Sequence, residues 1–219
     1  MSQASGRTLS EPGAKSTLRV DHVITSGTFS LDGETHDVDN NVWVIGDDHE
    51  CVVLDAPHSV EHILAVVGDR RLRAILCTHA HDDHVRVAPQ LRAETRAPIF
   101  LHPDDRQVWE LTHPDQLWDV DLADGQVIEA AGLRLKTLHT PGHSPGAVCF
   151  YAKELGAVFT GDTLFNGGPG ATGRSFSEHE TIVTSIRDKL FRLPDQTVVH
   201  TGHGDDTTVG AEKASLEDA

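Results

Sequence analysis

Thr78-His79-Ala80-His81-Asp82-Asp83-His84 follows directly on the apolar run Ala74 to Cys77, so three histidines and a carboxylate stand at H-x-H-x-D-H spacing where a strand ends. Imidazole with carboxylate is the donor set of a borderline divalent metal. With 15 histidines in 219 residues, one such motif carries little weight alone. Its weight comes from three later segments, Thr140-Pro141-Gly142-His143, Thr160-Gly161-Asp162 and Thr201-Gly202-His203-Gly204. Each sits at the end of a predicted strand beside glycine. Two adjacent metal sites need about six to seven protein ligands, and the inventory matches.

Working outward, short apolar runs bounded by turn residues predict strands at 18–24, 41–45 and 51–54, paired antiparallel. Ser59 is a predicted N-cap for a helix ending at Gly68, with Val60, Ile63, Leu64 and Val67 on one face. The strand 74–77 then leads through the histidine motif into a helix over 87–95. A second antiparallel set follows at 127–129, 133–138, 147–151 and 157–160, after a short strand at 98–101 and a polar helix over 103–111. A helix over 178–190 and a strand at 197–200 complete the pattern. Both halves run from strands to helices, so the expected fold class is α/β, a four-layer αββα sandwich of two mixed sheets flanked by helices. Ligands at the strand ends would meet along one edge of that sandwich.

The length suits one domain over 18–219, preceded by a loose Ser/Gly/Ala-rich arm over 1–17 that has no apolar core and does not read as a signal peptide. No apolar run approaches the roughly 18 residues of a membrane span. A formal charge of −16 repels phosphate backbones and anionic membranes, so the expected partner is a small-molecule substrate, not nucleic acid or a membrane. A homo-oligomer stays open. Cys51, Cys77 and Cys149 are odd in number and lie in or beside apolar runs, which predicts buried reduced thiols and a cytoplasmic setting.

The four metal segments, with Leu138 to Gly146, Gly161-Asp162-Thr163-Leu164-Phe165 and Thr207 to Lys213, resemble the metallo-β-lactamase fold hydrolases and within them the short glyoxalase II-like (hydroxyacylglutathione hydrolase-like) branch. The resemblance implies His79, His81 and His143 on one metal, Asp83, His84 and His203 on the other, and Asp162 bridging both. It also implies that Asp83 serves catalysis as well as ligation, and that Asp55 is the family's buried aspartate supporting a ligand. The implied cofactors are two divalent ions, zinc first, with iron or manganese as alternatives. Asp82 is expected to face solvent. His58 and His139 are expected at surface or satisfied core positions.

Such a pair of ions supplies a hydroxide nucleophile and polarises a carbonyl, which implies hydrolysis. The motif segments offer no strong general acid, which favours a leaving group that departs as a thiolate, hence a thioester of a small thiol cofactor. Rival readings are a mononuclear iron persulfide dioxygenase sharing the His79, His143 and Asp162 type of ligand, a lactonase, and a non-catalytic metal-binding module. Two departures from the family bear on specificity. Asp83-His84-Val85-Arg86-Val87 stands where D-H-x-G-G is common, and the chain stops before any basic glutathione-binding region. Arg86, Phe165 and Arg174 are the expected substrate-binding residues, and the glycine-rich stretch 166–176 is either a surface loop or a lid.

Overall fold

In the computed structural model, which describes residues 17–217, strands β1 (Arg19–Leu31), β2 (Glu34–Gly46), β3 (Glu50–Leu54), β4 (Arg71–Leu76), β5 (Ile99–Leu101) and β6 (Val120–Asp121) form one sheet in that order. Strands β1, β2 and β3 pair antiparallel, and from β3 to β6 the pairing is parallel. The second sheet contains β7 (Val127–Ala130), β8 (Leu133–His139), β9 (Val148–Ala152) and β10 (Ala157–Gly161). After the short pair β11 (Leu164–Phe165) and β12 (Gly168–Pro169), it is completed by β13 (Val198–Thr201) and β14 (Thr207–Thr208), in the order β14-β13-β10-β9-β8-β7. Strand β13 lies parallel to β10, so this sheet is mixed as well. The arm expected over 1–17 lies almost wholly outside the described residues.

Alternation along the strands builds the layers. In β2, Trp43 and Ile45 face Leu135, Phe150 and Phe159 between the sheets, while Val42 and Val44 face the helices. The first outer layer is α1 (Val60–Val67), α2 (Asp82–Val85), α3 (Ala88–Thr95) and α4 (Arg106–Thr112). Ile63, Leu91 and Trp109 seal it against Val53 and Ile75. On the far face, α5 (His179–Ser185), a π-helical turn over Ile186–Leu190 and α6 (Val209–Glu217) flank the second sheet, where Ile182, Ile186, Leu190 and Val209 cover Leu138, Val158 and Val199. This is the four-layer αββα arrangement. Ser59 caps α1 through its side chain, as its position predicts.

The structure extends the sequence reading in three places. Strands β1 and β2 run well beyond 24 and start before 41, because the mostly polar residues on both sides of Asp32-Gly33 pair as one hairpin from Leu31 opposite Glu34 inward. The helix expected over 103–111 begins with a tight 3-10 turn at Pro103–Asp105. Strand β6 and helix α6 had no apolar periodicity to reveal them. Cys51, Cys77 and Cys149 are buried and unpaired, and burial pushes the Cys51 and Cys149 thiols up to about 11.

Candidate metal centre

The edge where β4, β8, β10 and β13 end gathers all seven expected ligands. His79 and His81 stand in the turn after β4, and Asp83 and His84 in the single-turn helix α2 that it opens. His79 Nε2 and His143 Nε2 each lie 3.0 Å from His81 Nδ1. On the other side His84 Nε2 is 3.3 Å from His203 Nε2, and Asp83 Oδ2 is 3.4 Å from His203 and 3.7 Å from His84. Asp162 joins the two groups. Its Oδ1 lies 3.3 Å from His84 Nε2, and its Oδ2 lies 3.4 Å from His203 Nε2 and 3.6 Å from His143 Nε2.

The outward nitrogens fix which way each ring presents its lone pair. Nδ1 of His143 donates to the Ala171 carbonyl (2.9 Å), Nδ1 of His203 to the Asp39 carbonyl (2.7 Å), and Nδ1 of His84 to Asp55 Oδ2 (2.8 Å). A carbonyl or carboxylate oxygen accepts only, so the nitrogen of those rings that can give up its proton and offer a lone pair is Nε2, toward the cluster. Thr78 Oγ1 donates to Asp55 Oδ2 and so accepts from His79 Nδ1 at 3.1 Å, with the same result. Lone pairs on His84 Nε2 and His203 Nε2, 3.3 Å apart, repel, and a cation between them turns the repulsion into two bonds. Asp162 Oδ1 is buried with no hydrogen-bond partner, which also suits ligation by a cation. The residues therefore fit divalent metal.

Titration follows the same division. Burial holds the His79 ring well below its usual value, and burial with neighbouring His143 takes His81 down to about 3. At His203 burial opposes charge, but the Asp162 and Asp83 carboxylates overcome it and lift the ring to about 10. The same carboxylates with Asp55 raise His84. Burial likewise opposes the Asp83 anion, and His84 and His203 hold its carboxyl down at about 2 all the same.

Among the glycines required by close approach are Gly202 and Gly27. A Cβ on Gly202 would lie 2.2 Å from Asp162 Oδ1 and 2.9 Å from His84 Cε1. One on Gly27 would lie 2.3 Å from Nδ1 of His58.

The cluster opens into a chamber of about 220 Å³ walled by Phe29, Val38, Phe165, Ala171 and Arg174. Phe165 and Arg174, the expected substrate-binding residues, are among these wall residues, and the stretch 166–176 contributes Ala171 and Arg174. The Arg174 guanidinium lies 5.0 Å above the Phe29 ring. Arg86 does not reach this chamber. It donates to the Thr28 carbonyl at 2.6 Å and pairs with Asp82, so it joins α2 to the β1–β2 hairpin. The expected substrate contact of Arg86 is corrected accordingly. Asp82 is likewise no solvent-facing residue, since its Oδ1 also accepts from Ser30 N at 3.1 Å. A larger surface groove of about 450 Å³ beside His139, Glu180 and Lys189 contains none of the seven ligands.

Sequence reasoning missed Asn40 and Asp105. Asn40, 1% exposed, reaches the ligands from β2 with Nδ2 3.1 Å from Asp83 Oδ2, and its Oδ1 accepts from half-buried His58 at 2.8 Å. The tandem Asn40-Asn41 opening an apolar strand was the available signal. Asp105, fully buried, accepts from Ala80 N, Ser144 Oγ and Gly146 N, tying the two histidine loops together. Burial raises its carboxyl to about 6 against those three donors. No spacing announced it.

Comparison with known proteins agrees with this geometry. The metallo-beta-lactamase superfamily profile matches residues 37–203. The chain is 35% identical to the probable metallo-hydrolase YqgX of Bacillus subtilis, over 79% of this chain and 89% of that one. It is 33% identical to the hydroxyacylglutathione hydrolase GloC of Haemophilus influenzae, over 80% and 88%, which supports the glyoxalase II-like branch. Among solved structures it resembles TTHA1623 in a di-iron-bound form, with a TM-score of 0.73, 32% identity and coverage of 81% and 94%. Fold, converging His and Asp side chains and sequence together show that the chain belongs to the metallo-beta-lactamase superfamily.

Proposed function

We propose that the protein is a dinuclear metallohydrolase that cleaves a thioester of a small thiol. The observation that carries this reading is the position of Asp162, with one oxygen toward His84 and the other toward His143 and His203. His79, His81 and His143 would hold one ion and Asp83, His84 and His203 the other, with Asp162 shared. Mixed imidazole and carboxylate donors suit zinc, iron or manganese. When bound, the ions supply an activated water and Lewis-acid polarisation of a carbonyl.

The chain's own residues do the rest. Asp55 and the Asp39 and Ala171 carbonyls hold the ligand rings in one tautomer. Phe29, Val38 and Phe165 wall the chamber with apolar surface, and Arg174 offers one fixed cation to an anionic acyl group. Beyond the metal-ligand side chains, no wall residue among those described can give up a proton at neutral pH, because a guanidinium does not deprotonate. That favours a leaving group stable as an anion, and a thiolate meets the requirement better than an amine.

The test is a panel of thioesters, lactones and persulfides assayed with metal-loaded protein, alongside elemental analysis. Thioester turnover with two metals per chain supports the reading. Oxygen uptake with a persulfide and one iron, or turnover of lactones alone, would replace it.

A further inference from the structure

Asn40 stands within the second ligand group with the regularity of a ligand. Its amide Nδ2 lies 3.1 Å from Asp83 Oδ2, 3.3 Å from His84 Nε2 and 3.4 Å from His203 Nε2. Those three atoms are themselves 3.3, 3.4 and 3.7 Å apart. Four atoms so spaced make a nearly regular tetrahedron whose centre is about 2.1 Å from each corner, the length of a zinc bond to nitrogen or oxygen. A neutral amide nitrogen has no lone pair to give, but the oxygen of the same amide has two. The two ends have almost the same shape, so a half turn of the amide exchanges them in place.

Which end faces the cluster depends on charge and on His58. As it stands, the amide donates to the Asp83 carboxylate and its oxygen accepts from Nε2 of His58 at 2.8 Å. A cation at the centre of the tetrahedron repels the N–H end and attracts the oxygen. After the half turn, Nδ2 donates to the Nε2 lone pair of His58, whose ring proton then sits on Nδ1. That costs no hydrogen bond at the far end of the ring, because His58 Nδ1 is buried with no partner. The support is rigid: the ring lies against Gly27, and the backbone N–H of Asn41 donates to the Gly202 carbonyl at 2.8 Å, beside His203.

We propose that Asn40 is itself a protein ligand of the metal held by Asp83, His84 and His203, through Oδ1, with His58 holding the turned amide. The proposal rests on the two-metal reading above. It gives that ion two oxygen and two nitrogen donors besides the shared Asp162, a harder set than the three imidazoles opposite.

Cobalt(II) titration of the wild type, Asn40→Leu and Asn40→Asp, followed by the visible cobalt spectrum and elemental analysis, tests it without any substrate. The wild type should take two ions. Asn40→Leu should hold the second about 10- to 100-fold more weakly with the first unchanged, a change of the size that follows loss of a ligand's support. Asn40→Asp keeps an oxygen at the same corner and should bind the second ion at least as tightly as the wild type. If Asn40 acts only as a donor to Asp83, the new carboxylate repels that side chain. Asn40→Asp weakened as much as Asn40→Leu, or equal affinity in all three proteins, therefore overturns the proposal while the two-metal reading stands. A wild type that stops at one ion overturns both. Should Asn40→Leu fail to fold, the comparison of Asn40→Asp with the wild type still decides.

Discussion

Asp55 Oδ2 lies 2.8 Å from His84 Nδ1, with both side chains almost wholly buried. The same carboxylate accepts from Thr78 N at 2.7 Å and Thr78 Oγ1 at 2.8 Å, so it supports both ends of the turn from Thr78 to His84. Asp55→Asn keeps the shape and tolerates the backbone φ of 62° here, since Asn visits the left-handed region readily. Its amide nitrogen, however, confronts a donor. Metal affinity should fall about 10- to 100-fold while the protein stays folded. Asp55→Ala leaves the Thr78 donors and His84 unpaired and should lose about 2–5 kcal/mol on denaturant titration as well.

Gly202→Ala should release metal without unfolding the chain. The new Cβ would meet Asp162 Oδ1 at 2.2 Å, so the shared carboxylate must shift. Elemental analysis should show less than the wild-type metal content and activity should drop at least tenfold, while circular dichroism stays unchanged. Full metal content in this variant would mean that Asp162 is not shared.

The pH dependence of stability should differ between stripped and metal-loaded protein. His203 is lifted from 6.5 to about 10, and a raised imidazole gives stability that is whole below 6.5 and lost as pH climbs to about 10. The melting point of stripped protein should therefore fall across that window, and each 2 kcal/mol lost lowers it by roughly 4–8 °C. Metal replaces the proton in the loaded protein, which should show no such fall. Identical profiles from differential scanning calorimetry would contradict the ligand assignment of His203.

Arg174 and Arg86 should separate by assay. Arg174→Gln should raise KM for a carboxylate-bearing thioester about 10- to 100-fold, the worth of one charge-assisted hydrogen bond, with little change for a neutral one. Arg86→Gln should leave KM alone and lower the melting point by about 2–4 °C, because it loses the tie from α2 to the Thr28 carbonyl.

Asp82→Ala should behave like Arg86→Gln, since it removes the acceptor of Ser30 N and the partner of Arg86 without touching the ligands. Asp162→Ala should instead abolish turnover. Equal losses in the two variants would place the shared carboxylate wrongly.

The layers and the His and Asp side chains that cluster at the strand ends were legible because both depend on local pattern. Val42 to Ile45 alternates between two buried faces, and His79, His81, Asp83 and His84 stand at fixed offsets after one strand. What escaped reading depends on contacts far apart in the chain. Asn40 meets Asp83 across 43 positions, and Asp105 meets Gly146 across 41. Arg86 was misplaced because proximity in sequence to His84 says nothing of direction: on α2 the side chain turns toward Thr28 on the hairpin. The hairpin itself was cut short because its outer half is mostly polar and Phe29, Leu31 and Val38 are too few to make a long apolar run.

The chamber over the ligands, at about 220 Å³, is smaller than the roughly 300–1,000 Å³ of pockets that enclose a drug-sized ligand. A thioester of any bulk would enter acyl end first and leave most of its thiol half in open water. Discrimination would then fall on the acid being released, and carriers differing only in their distant parts would be interchangeable to this protein.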